Sequence, residues 1–110
     1  MKTNLTLYEI KPNTGLDITG REQATAEMTV WNPGKQGDVF LEVVTGGNAC
    51  IVTVVTSELY QDSIELVQPN KTAIIGPFPP EQFNTESDHM VVLCSDVATT
   101  QIRAITLLEV

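Results

Sequence analysis

The sequence is poor in cationic side chains. Six lysines and arginines stand against fourteen aspartates and glutamates, which gives a formal net charge of −8. Proteins that bind nucleic acid neutralise phosphates with clusters of Lys and Arg. The sequence has no such cluster, so we expect no nucleic-acid partner. The negative charge itself favours solubility.

Long apolar runs are also missing. No run approaches the roughly 20 apolar residues that a membrane-spanning helix needs, so we expect no membrane association. The N-terminal residues Met1-Lys2-Thr3-Asn4 lead into alternating residues rather than into the apolar segment of a signal peptide. We therefore expect a protein that is made and used without secretion.

Cysteine is scarce, with Cys50 and Cys94 alone in the chain. Both fall on predicted strands, so a disulfide between them is one interpretation. The other, which we favour, is a pair of reduced cysteines that act as small core residues. An immunoglobulin framework places a Trp between its two cysteines. Trp31 precedes both, so that framework is absent.

Metal and cofactor motifs are not recognisable. One histidine and two distant cysteines do not form a zinc signature. The carboxylates are scattered and make no calcium-loop motif. A calcium ion bridging Glu86–Asp88 and Asp96 stays open as an alternative. We predict no metal and no cofactor.

Catalytic motifs are equally sparse, and we predict that the protein is not an enzyme. The single histidine, His89, has hydroxyl and carboxyl residues nearby in sequence, namely Ser87, Asp88, Ser95 and Asp96. A Ser–His–Asp arrangement is therefore formally available. However, no Gly-x-Ser-x-Gly nucleophile elbow, phosphate-binding loop or dinucleotide fingerprint is present.

What the sequence does contain is the pattern of an all-β protein. A chain of 110 residues corresponds to one domain, 1–110, with a core of its own. Aromatic residues make up only 5%, so the core must rest on the Val, Ile, Leu and Thr residues that suit strands. We predict a single-domain antiparallel β-sandwich, jelly-roll or immunoglobulin-like, with seven to eight short strands. Residues 1–12 are either its first strand or an arm that adds to a neighbour's sheet.

Alternating apolar residues and turn signals place the strands. The predicted strands are Asn4–Ile10, Glu22–Trp31, Asp38–Thr45, Asn48–Thr56, Asp62–Val67, Lys71–Ile75, His89–Cys94 and Thr100–Leu108. Turn residues, including those of Lys11–Gly20, fill the intervals.

The segment from Asp38 to Thr56 gives the strongest strand signals. Gly46-Gly47 separates two strands by two residues, which predicts a β-hairpin turn with positive φ angles. The first of these strands is apolar on both faces. It is therefore predicted to lie centrally in a sheet, or to bury its second face against a partner.

The segment Gly76–Asn84 is rich in proline. Pro77, Pro79 and Pro80 fix φ and remove three backbone donors, so the chain follows a rigid path there. We predict a packed structural corner formed by Gly76, Pro77, Phe78, Pro79, Pro80, Phe83 and Asn84. Either Phe78 or Phe83 is expected to fill the core. Trp31 precedes a turn and is predicted to cover the core rather than to serve as a ligand platform.

Several pieces occur in a fixed order and carry a resemblance. They are Asp38–Val44, then Gly46-Gly47 with the strand Ile51–Thr56, then Gln68–Ile75 running into Gly76–Pro80 with Phe83-Asn84 after it, and finally Ile102–Ile105. Together they resemble small structural proteins of tailed bacteriophages, of the capsid decoration or head accessory type found beside the major capsid protein.

The resemblance implies an all-β virion component, assembled in the host cytoplasm. Its partner would be the major capsid protein or another virion protein, and on the virion it would act as a monomer or a homo-oligomer. The resemblance implies no binding residues. A neck, tail or fibre-base module is an alternative, as is a carbohydrate- or protein-binding β module outside virions.

Overall fold

The computed structural model describes residues 3–10, 22–32, 39–56, 61–86 and 88–107. These residues form eleven strands and one short helix. In chain order they are β1 (Thr3–Leu5), β2 (Leu7–Ile10), β3 (Glu22–Gln23), β4 (Glu27–Trp31), β5 (Val39–Val44), β6 (Cys50–Val54), β7 (Ser63–Val67), β8 (Thr72–Phe78), α1 (Pro80–Phe83), β9 (Asn84–Glu86), β10 (His89–Cys94) and β11 (Gln101–Leu107).

The strands form two sheets. The first sheet has the order β1-β4-β10-β6-β7, with β9 also paired to β10. The second sheet has the order β2-β11-β5-β8, with β3 also paired to β11. Thus β7 ends the first sheet, β8 ends the second, and β5 lies centrally in its sheet, as predicted from its two apolar faces.

The antiparallel pairs are nested along the chain. The hairpin β6–β7 lies inside the pair β5–β8, which lies inside β4–β10, which in turn lies inside β3–β11. A long antiparallel ribbon wrapped into two sheets in this way is a jelly roll. The predicted β-sandwich is confirmed, and the strand pairing follows the jelly-roll alternative.

The N-terminal segment spans both sheets. The predicted strand Asn4–Ile10 is divided at Thr6 into β1, which pairs in parallel with β4, and β2, which pairs in parallel with β11. Both sheets are therefore mixed rather than purely antiparallel. Since β1 and β2 pair within the chain, this segment forms part of the sandwich.

The strand predicted at Glu22–Trp31 is also divided. Residues 22–23 belong to the second sheet and residues 27–31 to the first. Between them the chain crosses from one layer to the other. The Ala24 amide donates to the carbonyl of Thr100 at 3.0 Å, and the carbonyl of Ala26 accepts from the Cys94 amide at 3.1 Å. Backbone groups of the crossing are thus paired with residues from each sheet.

The predicted hairpin at Gly46-Gly47 is wrong. The strands on either side, β5 and β6, lie in different sheets and pair with other strands. A Cβ atom on Gly46 would lie 2.8 Å from the Cβ of Thr99, so glycine at this position permits close approach of the loop that follows β10. Among the described glycines, it is Gly76 that has a positive φ. Gly46-Gly47 therefore connects the two layers.

The core lies between the two sheets and is built mainly from aliphatic side chains of moderate size. It comprises Leu5, Ala24, Met28, Val30, Val39, Leu41, Val43, Cys50, Val52, Val54, Val67, Phe78, Phe83, Met90, Val92, Cys94, Ile102 and Ala104. The strand period decides which residues enter it, because alternate side chains point to opposite faces.

Candidate functional site

The proline-rich segment differs in part from the predicted corner, because Gly76, Pro77 and Phe78 are the last residues of β8 and Gly76 and Pro77 are exposed. Phe78 and Phe83 are both buried, and their rings meet edge to face with centroids 5.0 Å apart and an interplanar angle of 83°. Pro79 occupies the N-cap position of α1 and Pro80 its first turn, where a missing amide hydrogen leaves no bond unmade. The aromatic groups of this segment therefore face the core.

Two asparagines tie the corner to the end of β4. The Asn32 side-chain amide donates to the carbonyl of Phe78 at 2.9 Å, and the Asn84 side-chain amide donates to the carbonyl of Asn32 at 2.7 Å. Asn32 directly follows Trp31, where the sequence predicts a turn, and the sequence gave no signal of this buried role. Gly76 also has a fixed role, since its φ is +133° and a Cβ there would lie 3.1 Å from a ring carbon of Phe40.

An exposed apolar surface lies on the outer face of the first sheet. Ile51 of β6 pairs with Leu66 of β7, and the next outward-facing pair is Thr53 with Ile64. The exposed fractions are 45% for Ile51, 56% for Leu66 and 64% for Ile64. We call these three residues the β6–β7 patch. Ile64 and Leu66 are two residues apart in the predicted strand Asp62–Val67 and therefore share a face, and the structure shows that this face points outward.

The strand β7 also carries exposed acidic residues. Asp62 precedes the strand, and Glu65 lies between Ile64 and Leu66 but on the opposite face, where it pairs with Val52. Of the lysine and arginine side chains in the part of the chain that the structure describes, Arg103 is buried and Lys71 is exposed. The patch is therefore an apolar surface on a domain that attracts cationic partners.

A second exposed feature lies at the start of β10. Trp31 is 42% exposed and pairs across the first sheet with His89. The prediction that Trp31 covers the core is wrong. Met28 and Val30 of the same strand face inward, which places Thr29 and Trp31 on the outer face. His89, the pairing partner of Trp31, lines an open depression together with Thr29, Thr85 and Glu86.

The residues considered for catalysis or calcium binding are separated by the fold. His89 begins β10 and Ser95 follows its end, which sets them about 20 Å apart at the usual rise per strand residue. Glu86 and Asp88 lie at the His89 end, whereas Asp96 lies at the other. Ser87 lies outside the described residues. Among those described, no three His, Cys, Asp or Glu side chains are grouped to hold a metal ion.

Asp96 instead orders its own loop. Its carboxylate accepts hydrogen bonds from the Thr99 hydroxyl at 2.7 Å and the Thr100 hydroxyl at 2.8 Å. These bonds favour the charged form and lower the pKa of the Asp96 carboxyl below its ordinary value. This is the loop that Gly46 approaches closely.

The two cysteines are free and buried on the inner face of neighbouring strands, β6 and β10. Burial, together with smaller effects of the neighbouring Cys50 and Asp96, raises the pKa of the Cys94 thiol to about 12. Thiolate is the reactive form of cysteine. The pair therefore acts as core packing rather than as a reactive site.

We expect Cys94 to resist alkylation in the folded protein. At pH 8 the buried thiol remains protonated, so iodoacetamide should modify it far more slowly than it does in urea-unfolded protein. Intact-mass analysis of a time course, with peptide mapping to separate Cys50 from Cys94, measures this. Modification of Cys94 at equal rates in both states would contradict its burial.

Comparison of the chain with family models, with curated proteins and with solved structures found no match in any of the three. In the described part of the chain, no helix has the length and apolar character needed to cross a membrane. What the protein does must therefore be argued from the surfaces described above.

Proposed function

We propose that this protein is a non-enzymatic structural component of a bacteriophage virion. It decorates or cements the capsid by binding the major capsid protein. The observation that carries the docking role is the β6–β7 patch, an exposed apolar surface on a sheet whose opposite face already forms the core. The sequence resemblance to head accessory proteins supports the virion setting. Viral capsid proteins commonly use jelly rolls, although a shared fold is support by analogy only.

The size of the patch indicates how such docking works. Full burial of an Ile or Leu side chain contributes about 1.5–3 kcal/mol, and the three residues of the patch are already partly covered. Association costs at least about 4 kcal/mol in lost freedom of motion. One patch alone therefore gives weak binding. When many copies bind a symmetric shell, their weak contacts act together and stabilise the shell.

Charge selects a capsid surface over a second copy of this chain. If two β7 edges paired antiparallel about their centre, Glu65 of one copy would face Glu65 of the other, and like charges in register are destabilising. Two chains that each carry a net charge of −8 also repel one another. The patch would be complementary to an apolar surface with a basic rim, and we expect the major capsid protein to present such a surface.

Co-sedimentation with capsids assembled without this protein tests the proposal. We expect the wild-type chain to bind in many copies, and the double variant Ile64→Ser/Leu66→Ser to lose affinity roughly tenfold or more. Ile74→Ser is the matched control, because Ile74 is 59% exposed but lies on β8 in the other sheet. It should bind like the wild type. Circular dichroism melting confirms that each variant is folded.

Cryo-electron microscopy of the same particles locates the protein. Regular density over the whole shell supports capsid decoration. Density for only a few copies at one vertex would indicate a neck or tail role instead of capsid decoration. No binding to capsids, or equal loss in the Ile74→Ser control, would overturn the docking surface.

A further inference from the structure

The exposed tryptophan and its polar neighbours form a second surface, independent of the β6–β7 patch. We define the Trp31 cleft as Trp31 with the four residues that line the adjoining depression, Thr29, Thr85, Glu86 and His89. We propose that the Trp31 cleft binds a neutral saccharide. This binding does not depend on the capsid role.

Three strands place these side chains together. Thr29 and Trp31 are two residues apart on β4 and share its outer face. His89 of β10 lies directly opposite Trp31, and Glu86 of β9 lies opposite His89. Thr85 precedes Glu86 on the short edge strand β9. The cleft is thus built on paired strands, which hold its groups in fixed relative positions.

The chemistry of the cleft matches a sugar ring. An exposed indole offers a flat apolar surface, which suits the C–H face of a pyranose. Beside it are two threonine hydroxyls, a carboxylate and an imidazole. Sugar hydroxyls both donate and accept, and this set of side chains supplies donors and acceptors alike. The Thr29 hydroxyl donates to Asn4 Oδ1 at 3.3 Å, which leaves its oxygen able to accept from a ligand.

The net charge of −8 favours a neutral sugar over an anionic one. Arg and Lys form the strongest charge-assisted hydrogen bonds to a carboxylate, sulfate or phosphate on a glycan. Of these residues in the described ranges, Arg103 is paired with Glu42. Lys71 lies at the end of the sandwich opposite the Trp31 cleft. Its backbone carbonyl accepts a hydrogen bond from the Thr45 amide there, next to the place where Gly46 contacts Thr99.

The shape of the cleft sets the expected strength. The depression is open to solvent and is lined by a few side chains, so it encloses little of a ligand. Pockets that bind tightly bury most of the ligand surface. We expect a Kd on the order of 1 mM for a single oligosaccharide. Measurable retention on a glycan surface then requires several copies of the protein displayed together.

The chain contains one tryptophan, so its intrinsic fluorescence reports on Trp31 directly. We expect a panel of neutral oligosaccharides to include members that shift the emission saturably and reduce acrylamide quenching about twofold. Sialylated and sulfated oligosaccharides should leave the emission unchanged. This measurement uses the wild-type chain and so does not depend on the folding of a variant.

A glycan array with multivalently displayed protein provides the second measurement. Neutral glycans bound by the wild type should be lost with Trp31→Ala and retained with Ile64→Ser, which alters the other surface. No response to any neutral glycan in both measurements would overturn the proposal, as would a preference for anionic glycans or undiminished binding by Trp31→Ala. If only a Lys/Arg-rich peptide shifted the emission, the proposal would be wrong, and the ligand would be a cationic protein segment stacked on Trp31.

Discussion

Substituting Arg103 by Ala should destabilise the protein by about 3–5 kcal/mol. Arg103 Nε lies 3.0 Å from Glu42 Oε1, and Nη2 lies 3.4 Å from Oε2. Both side chains are buried, although they belong to β11 and β5 in the middle of the second sheet. Removing the guanidinium would take the Nε and Nη2 hydrogen bonds away from a buried carboxylate. Chemical denaturation with urea, followed by circular dichroism, gives the change in unfolding free energy.

A double variant separates the pair's net contribution from the cost of breaking it. Arg103→Met with Glu42→Leu removes both charges and keeps apolar volume. Because well-packed apolar residues often replace a buried ion pair without loss, we expect this variant to be near wild type or more stable. If Arg103→Ala cost less than about 1 kcal/mol, the Glu42 carboxylate would have to gain access to water or another partner.

The Arg103–Glu42 pair also shows where sequence reasoning reaches its limit. The two apolar faces of the segment from Val39 to Val44 correctly predict a central strand. Its partner cannot be read from the sequence, because Glu42 and Arg103 are 61 residues apart. They meet only through the register between β5 and β11. Local periodicity carries no information about that register.

The error at Gly46-Gly47 has a related cause. Two glycines between apolar strands are a strong local hairpin signal. In a jelly roll, however, consecutive strands often lie in opposite sheets, and the connecting glycine is required by contact with Thr99. The same two-glycine pattern is therefore compatible with a β-hairpin within one sheet and with a connection between two sheets. The position of a distant loop decides between them.

The sequence predicts the β6–β7 patch and the exposure of Trp31 only in part. Period-two alternation places Ile64 and Leu66 on one face of their strand but does not say which face is inside. Among the described strands β7 pairs with β6 alone, and its Ile64 and Leu66 face solvent. Trp31 was misassigned for the same reason. Its outward position follows from Met28 and Val30 filling the core, and that is known only once the packing partner of β4 is known.

Substituting Phe83 by Ala is expected to cost on the order of 3 kcal/mol in unfolding free energy. The sequence predicted that Phe78 or Phe83 fills the core at the proline-rich corner, and the structure buries both. Truncation of Phe83 removes its apolar surface from the core and takes away the edge-to-face partner of Phe78. The short helix α1 is held to the sandwich through this ring, because Phe83 is its buried residue. Urea denaturation measures the loss.

Phe83→Leu is the control, since it retains most of the apolar volume and loses only the ring contact; we expect a smaller cost, of about 1 kcal/mol. Pro77, by contrast, is exposed on the edge strand β8, and its ring fills no part of the core. The apolar burial in this segment therefore comes from the phenylalanines. A near-neutral Phe83→Ala would mean that the ring leaves the core in solution. The corner would then present an apolar surface of its own and would compete with the β6–β7 patch as the docking site. A cost near 3 kcal/mol restricts the corner to a structural role and leaves the outer face of the first sheet as the surface for binding.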